Sequence, residues 1–272
     1  MLVNMGSFHL HLISDSTGET VSTIARAALA QFDEIEVVEH NWSLVRTRGQ
    51  IDKILKVIEE RRGVVLYTLV KIDLAELLQK KCRSLSVPCV PVMDGVMGAF
   101  SGFLSRRVDQ RPGHQHELDD EYFERIDAMQ FALNHDDGQS LYDLDKADVI
   151  LTGVSRTSKT PTCVYLANRG LKAANVPYIA GQELPKELLG ARNSLIVGLT
   201  TSPERLVQVR RNRLRQMKEG TLDNYVDLEI VRAELNKARR FFQDRKWPII
   251  DVTRRSIEET AAAVLSLYRE TQ

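Results

Sequence analysis

The chain has 272 residues, enough for one large or two modest domains, and its 43% apolar content predicts a folded core. Lysine plus arginine equals aspartate plus glutamate, at 37 each, so bulk charge gives no reason to expect nucleic acid or an anionic membrane as a partner. The three cysteines lack metal-ligand spacing, and their odd number disfavours a disulfide framework. The N-terminus lacks a signal-peptide pattern, and no run approaches the ~20 apolar residues of a membrane helix. We therefore expect a cytoplasmic protein.

The first 108 residues alternate between strand and helix patterns. The predicted strands are 8–13, 36–38, 64–70 and 87–93, with helical apolar spacing between them. This alternation predicts an N-terminal doubly wound parallel-sheet α/β domain over residues 1–108. A polar loop, 14–20, which includes Asp15, follows the first strand. Ligands of such sheets gather at the carboxyl ends of the strands, where this loop is expected to lie.

Residues 109–145 are mostly polar and predict a largely helical connection, with one helix over about 119–134. Asp136, Asp137 and Gly138 follow that helix. Two adjacent carboxylates can ligate Mg²⁺ or accept a hydroxyl proton. They can equally form a surface turn, and the residues alone favour neither interpretation.

The segment 147–170 has the parts of a phosphate-binding loop. An apolar strand at 149–151 leads into a small polar loop, and Lys159-Thr160 opens a helix with Pro161 in its first turn. Backbone N–H groups would surround a phosphate, Lys159 would neutralise its charge and the Thr160 hydroxyl would ligate Mg²⁺. The consensus has glycine where this chain has Ser158, and serine in a left-handed conformation costs on the order of 1 kcal/mol. The alternative is an ordinary strand-to-helix turn.

The remaining chain completes a predicted P-loop kinase-like α/β domain over residues 146–272. Further strands are predicted at 176–180, 195–199 and 249–253. Asp251, in the last of these, resembles a carboxylate that orients Mg²⁺. The helix that begins near Pro203 is strongly basic, and its arginines either clamp phosphoryl groups or form a solvated face. These arginines are Arg205, Arg210, Arg211, Arg213 and Arg215.

Several long motifs resemble one family, in the same order and over essentially the whole chain. The family is that of the bacterial and plant regulatory proteins of pyruvate, phosphate dikinase and of its relative phosphoenolpyruvate synthase. The family accepts serine or glycine at position 158, and Thr157-Ser158 resembles the dikinase branch, whereas Cys-Gly would indicate the synthase branch. The motifs are SDSTGET (14–20), YFERIDAMQFALNHDDGQ (122–139), GVSRTSKTP (153–161), SPERL (202–206) and DVTRRSIEETAA (251–262).

The resemblance implies two activities at one site. The kinase activity uses ADP as phosphoryl donor, phosphorylates a threonine beside the catalytic histidine of the dikinase, inactivates that enzyme and releases AMP. The reverse activity is a phosphorolysis, in which inorganic phosphate attacks the phosphothreonine and yields pyrophosphate and free threonine. One electrostatic cradle can serve both directions, because each moves a phosphoryl group between a threonine oxygen and a phosphate oxygen.

The residues fit these activities in specific roles. Lys159, with Arg156, would offset developing negative charge, and Thr160 with Asp251 would orient Mg²⁺. The proton acceptor for the threonine hydroxyl is expected to be Asp137 or Asp136, with Asp15 as second choice. The phosphates are expected to be held by the loop residues Gly153, Val154, Ser155, Arg156, Thr157, Ser158, Lys159 and Thr160.

Three other functions remain open from the sequence. The same chemistry could act on phosphoenolpyruvate synthase. The second alternative is an ATP-dependent small-molecule kinase, and a preference for ADP over ATP as donor would distinguish the regulatory proteins from it. A non-catalytic nucleotide-sensing module is the third, and it would leave no phosphothreonine on a partner. We expect no nucleic-acid or membrane partner, and a homodimer is possible.

Overall fold

The computed structural model describes residues 7–33, 35–113, 120–217 and 223–271. The chain divides into two compact units, Met1–Glu117 and Leu118–Gln272. Each unit contains a four-stranded sheet in which every pairing is parallel. The predicted α/β fold class is confirmed. The predicted connection 109–145 is divided between the units, and its helix lies in the second.

The first unit alternates strand and helix from Phe8 onwards. Its sheet has the order β2-β1-β3-β4. Alternate residues of β1 point to opposite faces, so Leu10 and Leu12 pack with α1, whereas Ile13 packs in the core that contains residues of α2 and α3. Helices on both faces make the sheet doubly wound. The elements are β1 (Phe8–Ser14), α1 (Glu19–Leu29), β2 (Val37–Trp42), α2 (Arg48–Glu60), β3 (Gly63–Thr68), α3 (Ile72–Ser84), β4 (Cys89–Pro91) and α4 (Asp94–Leu104).

The second unit has the corresponding strand order, β6-β5-β7-β8. Helices α6 and α11 pack on one face, while α8 and α10 contribute to the core on the other. The unit begins with α5 (Asp120–Asn134) and two 3₁₀ turns, Asp136–Gly138 and Leu141–Lys146. The elements after these turns are β5 (Val149–Gly153), α6 (Lys159–Ala167), β6 (Ala173–Pro177), α7 (Lys186–Gly190), β7 (Leu195–Thr200), α8 (Pro203–Met217), α9 (Asp223–Val226), α10 (Leu228–Asp244), β8 (Ile249–Asp251) and α11 (Ile257–Thr271).

Most predicted strands differ from the structure by one or two residues at an end, and two differ by more. The strand predicted at 176–180 lies at Ala173–Pro177, and the strand predicted at 36–38 is Val37–Trp42. The first begins with two alanines and Asn175, which have low β propensity, and pairing with the buried strand β5 overrides that preference. The shift places Asn175 inside the sheet, near the carboxyl end of β6.

Among the described residues, every helix is too short or too polar to cross a bilayer.

Candidate functional site

The loop 153–160 connects the carboxyl end of β5 to the first turn of α6. Gly153 approaches β7 closely, since a Cβ there would lie 2.5 Å from the Leu199 carbonyl oxygen. Arg156 and Ser158 both have left-handed backbones, with φ of 74° and 61°. The glycine of the consensus is therefore replaced by a serine that adopts the conformation glycine favours.

Lys159 is almost completely buried at the base of this loop. Its side chain is 5% exposed, and Nζ donates a hydrogen bond to the Val154 carbonyl oxygen at 3.0 Å. The Thr157 hydroxyl donates to the same oxygen at 2.9 Å, so two side chains brace the loop from within. Burial lowers the pKa of Lys159 to about 8, although the charges of Asp137 and Asp136 act in the opposite direction.

Asp136, Thr160 and Asn175 form a closed hydrogen-bonded triangle beside the loop. Asp136 Oδ1 accepts from Thr160 Oγ1 at 2.8 Å and from Asn175 Nδ2 at 2.7 Å. Asn175 Nδ2 also lies 3.0 Å from Thr160 Oγ1. Asp137, whose φ is 52°, receives only a long contact of 3.4 Å from the same amide. The two carboxylates therefore differ, since Asp136 is held in a network and Asp137 is exposed and nearly unengaged.

His135 anchors the turn that carries these carboxylates. Nδ1 of its buried ring donates to the Phe131 carbonyl oxygen at 2.8 Å, and Nε2 lies 2.7 Å from Asp143 Oδ1. The ring also stacks on the Phe131 ring, with 3.8 Å between the ring centres. Burial would raise the pKa of Asp143, but the hydrogen bond and charge of His135 outweigh it and lower that pKa. The His135 carbonyl accepts the backbone N–H of Asn175 at 2.9 Å. The turn is thus fixed to β6 through both main chain and side chains.

Neither His135 nor Asn175 was identified as a site residue from the sequence. His135 adjoins the two carboxylates and lies within the motif at 122–139, and both signals could have indicated it. Asn175 lies in a segment with no recognisable motif, so only the strand pairing brings it to the site.

A cavity of about 930 Å³ opens beside the loop. Asp137, Lys159, Thr160 and Asn175 line it on the side of the carboxylates. The wall also contains Arg156, Ser155, Ser158, Pro161, Pro177, Tyr178, Ile179, Val209, Arg210, Tyr225 and Glu234.

Arg210 is the arginine of α8 that reaches the loop. It is 3% exposed, forms a 2.9 Å ion pair with Glu234, and donates from Nη2 to the Ser155 carbonyl at 3.4 Å. The other four arginines considered from the sequence, at 205, 211, 213 and 215, are exposed. Because Glu234 neutralises it, Arg210 braces the loop rather than offering a free positive charge.

Asp251 makes its contacts outside this cluster. Asp251 accepts the backbone N–H of Thr253 at 2.8 Å and pairs with Arg239 at 3.3 Å. Its strand β8 is separated from β5 by β7, which corresponds to about 10 Å between strand axes. Among the described residues, Asp251 and Thr160 share no hydrogen bond, and the metal role predicted for Asp251 stays a prediction.

Asp15 belongs to the first unit, at the carboxyl end of β1. Its Oδ2 accepts the Val70 N–H at 2.7 Å, and burial raises the pKa of this carboxyl. It lines a cavity of about 180 Å³ formed with the loop 14–20. Its role as a base also stays a prediction.

The oxygen ligands near the loop suit a hard cation. Among the described ranges, no cluster of three or more His, Cys, Asp or Glu side chains could hold a metal ion by itself. Magnesium, however, commonly takes one or two protein carboxylates and fills its other positions with water and substrate phosphates. The Asp136 carboxylate, with the Thr160 hydroxyl beside it, fits that mode of binding.

Comparison with known proteins identifies the class to which this α/β chain belongs. The family described as Kinase/pyrophosphorylase matches residues 10–265, and the chain is a member of that family. Related proteins carry the provisional name pyruvate, phosphate dikinase regulatory protein. The relative from Caulobacter vibrioides is 53% identical over 260 residues, which are 96% of this chain and 82% of that protein. The relative from Sphingopyxis alaskensis is 51% identical over 266 residues and 98% of both chains.

Proposed function

We propose that this protein is a bifunctional regulator of pyruvate, phosphate dikinase. It phosphorylates a threonine of the dikinase with ADP as donor, and it removes that phosphate by phosphorolysis with inorganic phosphate. The observation that carries the proposal is one cavity lined by the buried cation Lys159, the Asp137 carboxylate and Thr160, whose hydroxyl donates to Asp136. The family membership and the name of the relatives support it.

Each of the two reactions transfers a single phosphoryl group. In the kinase direction, the threonine oxygen bonds to the β-phosphorus of ADP, the bond to the bridging oxygen breaks, and AMP leaves. The hydroxyl proton passes to a base. In the other direction, an oxygen of inorganic phosphate bonds to the phosphothreonine phosphorus, pyrophosphate forms, and the threonine oxygen leaves and regains a proton.

Asp137 is the better candidate for the base. One oxygen of Asp136 already accepts two short hydrogen bonds, whereas Asp137 is exposed, lines the cavity and has only a long contact with Asn175. An unengaged carboxylate can approach the substrate hydroxyl and accept its proton. Asp136 would instead serve the cation.

Lys159 and the loop N–H groups would hold the transferred phosphoryl group and its neighbour. Arg156, exposed on the loop, would add a second positive charge at the mouth of the cavity. Asp136 and Thr160 would hold Mg²⁺, which when bound neutralises phosphate charge. This assignment replaces Asp251 with a carboxylate that already contacts Thr160.

The test uses dikinase that carries its phosphohistidine, Mg²⁺, and ADP labelled on the β-phosphate. We expect label on a dikinase threonine with loss of dikinase activity, and no transfer from the terminal phosphate of ATP. Asp137→Asn should reduce both directions at least about 100-fold. Asp145→Asn, an exposed carboxylate in the second 3₁₀ turn, is the matched control and should retain activity.

Other outcomes would point to specific alternatives. Transfer to phosphoenolpyruvate synthase alone would mean the other branch of the family, and transfer from ATP to a small molecule would mean an ordinary kinase. Nucleotide binding without phosphothreonine on either enzyme would refute the catalytic proposal. Full activity of Asp137→Asn would remove Asp137 as the base.

A further inference from the structure

The cavity beside the loop has a second, largely apolar wall. Its side chains come from the end of β6, from the two residues after it, from α8 and from α9: Pro177, Tyr178, Ile179, Val209 and Tyr225. A phosphoryl group is bound by cations and N–H groups, and these side chains offer it little. At about 930 Å³ the cavity is in the range of sites that hold whole small molecules. The wall therefore suits the non-phosphate part of a ligand.

Tyr225 is held in a fixed position at this wall. The Arg210 guanidinium lies 4.4 Å from the centre of its ring, and Arg210 Nη1 donates to the Tyr225 carbonyl at 3.2 Å. The Tyr225 hydroxyl lies 3.4 Å from Ser155 Oγ, so the ring directly adjoins the loop. Arg210 is itself fixed by its ion pair with Glu234. The ring needs little further ordering to act as a stacking surface, which favours binding.

We infer that Tyr225, with Ile179 and Val209, forms the subsite for the base and ribose of a nucleoside diphosphate. The inference rests on the proposed function, because that function supplies ADP as the donor. When the phosphates of the nucleoside diphosphate bind the 153–160 loop, its base and ribose must lie against a neighbouring surface. Tyr225 provides an aromatic one in contact with Ser155. Stacking of a base on an aromatic side chain changes affinity on the order of tenfold or more.

This subsite has a consequence that separates the two directions of the reaction. ADP carries a base, whereas inorganic phosphate and pyrophosphate do not. A change in the subsite should therefore weaken the ADP-dependent direction and leave phosphorolysis unaffected. A change in the loop itself should weaken both.

The experiment measures KM for ADP in the kinase direction and KM for inorganic phosphate in the phosphorolysis direction, on the full chain. Tyr225→Ala should raise KM for ADP about tenfold and change KM for phosphate by less than about twofold. Tyr225→Phe keeps the ring and should restore KM for ADP to near its original value. Tyr142→Ala, whose side chain is 83% exposed outside the cavity, is the matched control and should change neither.

Calorimetry with ADP and with pyrophosphate as probes tests the same point by binding alone. Tyr225→Ala should lose affinity for ADP and keep its affinity for pyrophosphate. If Tyr225→Ala fails to fold, Ile179→Ser is the second variant, because Ile179 is 48% exposed and contributes little to the core. It should weaken ADP selectively.

The results that overturn the subsite differ from those that overturn the proposed function. Equal loss of ADP and pyrophosphate would mean that Tyr225 only shapes the loop. Unchanged ADP affinity in both variants would place the base elsewhere. A wild-type protein that binds neither ADP nor pyrophosphate would refute the proposed function itself.

Discussion

Ser158→Gly should stabilise the second unit, because Ser158 adopts a left-handed backbone, with φ of 61° and ψ of 22°. A residue other than glycine pays about 1 to 2 kcal/mol for that conformation. Replacement by glycine removes this cost, but glycine also makes the unfolded chain more flexible, which offsets about 0.4 to 1 kcal/mol of the stabilisation. The net gain is therefore about 0 to 1.6 kcal/mol, and its midpoint of about 0.8 kcal/mol corresponds to an increase in Tm of about 2 °C for a unit of this size.

Tryptophan fluorescence can follow each unit separately. The chain has two tryptophans, Trp42 in the first unit and Trp247 in the second. The Trp42 indole N–H is buried without a hydrogen-bond partner in the described part of the chain, so Trp42→Phe forfeits no hydrogen bond seen there. In that background, Trp247 reports the unfolding of the second unit alone.

Ser86→Gly, followed by Trp42 fluorescence in a Trp247→Phe background, is the matched control. Ser86 has φ of 55°, is exposed and lies between α3 and β4 in the first unit. It should stabilise that unit by a similar amount and leave KM for ADP unchanged. If Ser86→Gly stabilises and Ser158→Gly does not, contacts of the Ser158 side chain already offset its backbone cost. No gain in either variant would refute the reasoning from φ.

Three further predictions follow from the site and the first sheet. Asn175→Ala should lower kcat on the order of tenfold with little change in KM, because two hydrogen bonds that align Asp136 and Thr160 are lost. An unchanged kcat would mean that the Asn175 amide does not position Asp136 and Thr160. Burial lowers the pKa of Lys159 to about 8, so the affinity for pyrophosphate should fall as the pH rises through 8. Lys159→Arg should make that affinity less dependent on pH, because arginine stays charged. An affinity of the wild type that does not depend on pH would contradict the role of this charge. Burial lowers the pKa of His11 and of His40 below 6.5. The unfolded chain therefore takes up protons at a higher pH than the folded chain, and the first unit should lose stability as the pH falls below 6.5. Denaturant unfolding should show a smaller loss of stability in His40→Gln than in the wild type.

The strands and helices of the two sheets follow from local patterns in the sequence. The apolar run at 149–151 is long enough to be buried, and the polar loop with Pro161 marks the start of α6. Helical apolar spacing likewise predicts α2 and α3. These signals are local because each helix or strand buries one of its own faces. The spacing of the apolar residues therefore indicates whether a segment is a helix or a strand.

The position of β6 could not be predicted as well, because its strand character depends on its partner. Residues 173–175 have low β propensity, and pairing with β5 makes them a strand. Asn175 was missed as a site residue for the same reason. Its amide meets Asp136 only because β6 lies beside β5 and the turn after α5 is fixed to β6.

The sequence by itself determined the loop with its lysine, the alternation of strands and helices, and the family. The tertiary structure decided which of the predicted polar residues meet. Asp136 joins Thr160, whereas Asp251 lies beyond β7 and pairs with Arg239. The physical reason is that residues at the ends of parallel strands become neighbours according to strand order. Strand order is set by the packing of the whole sheet and leaves no periodic signal in any one segment.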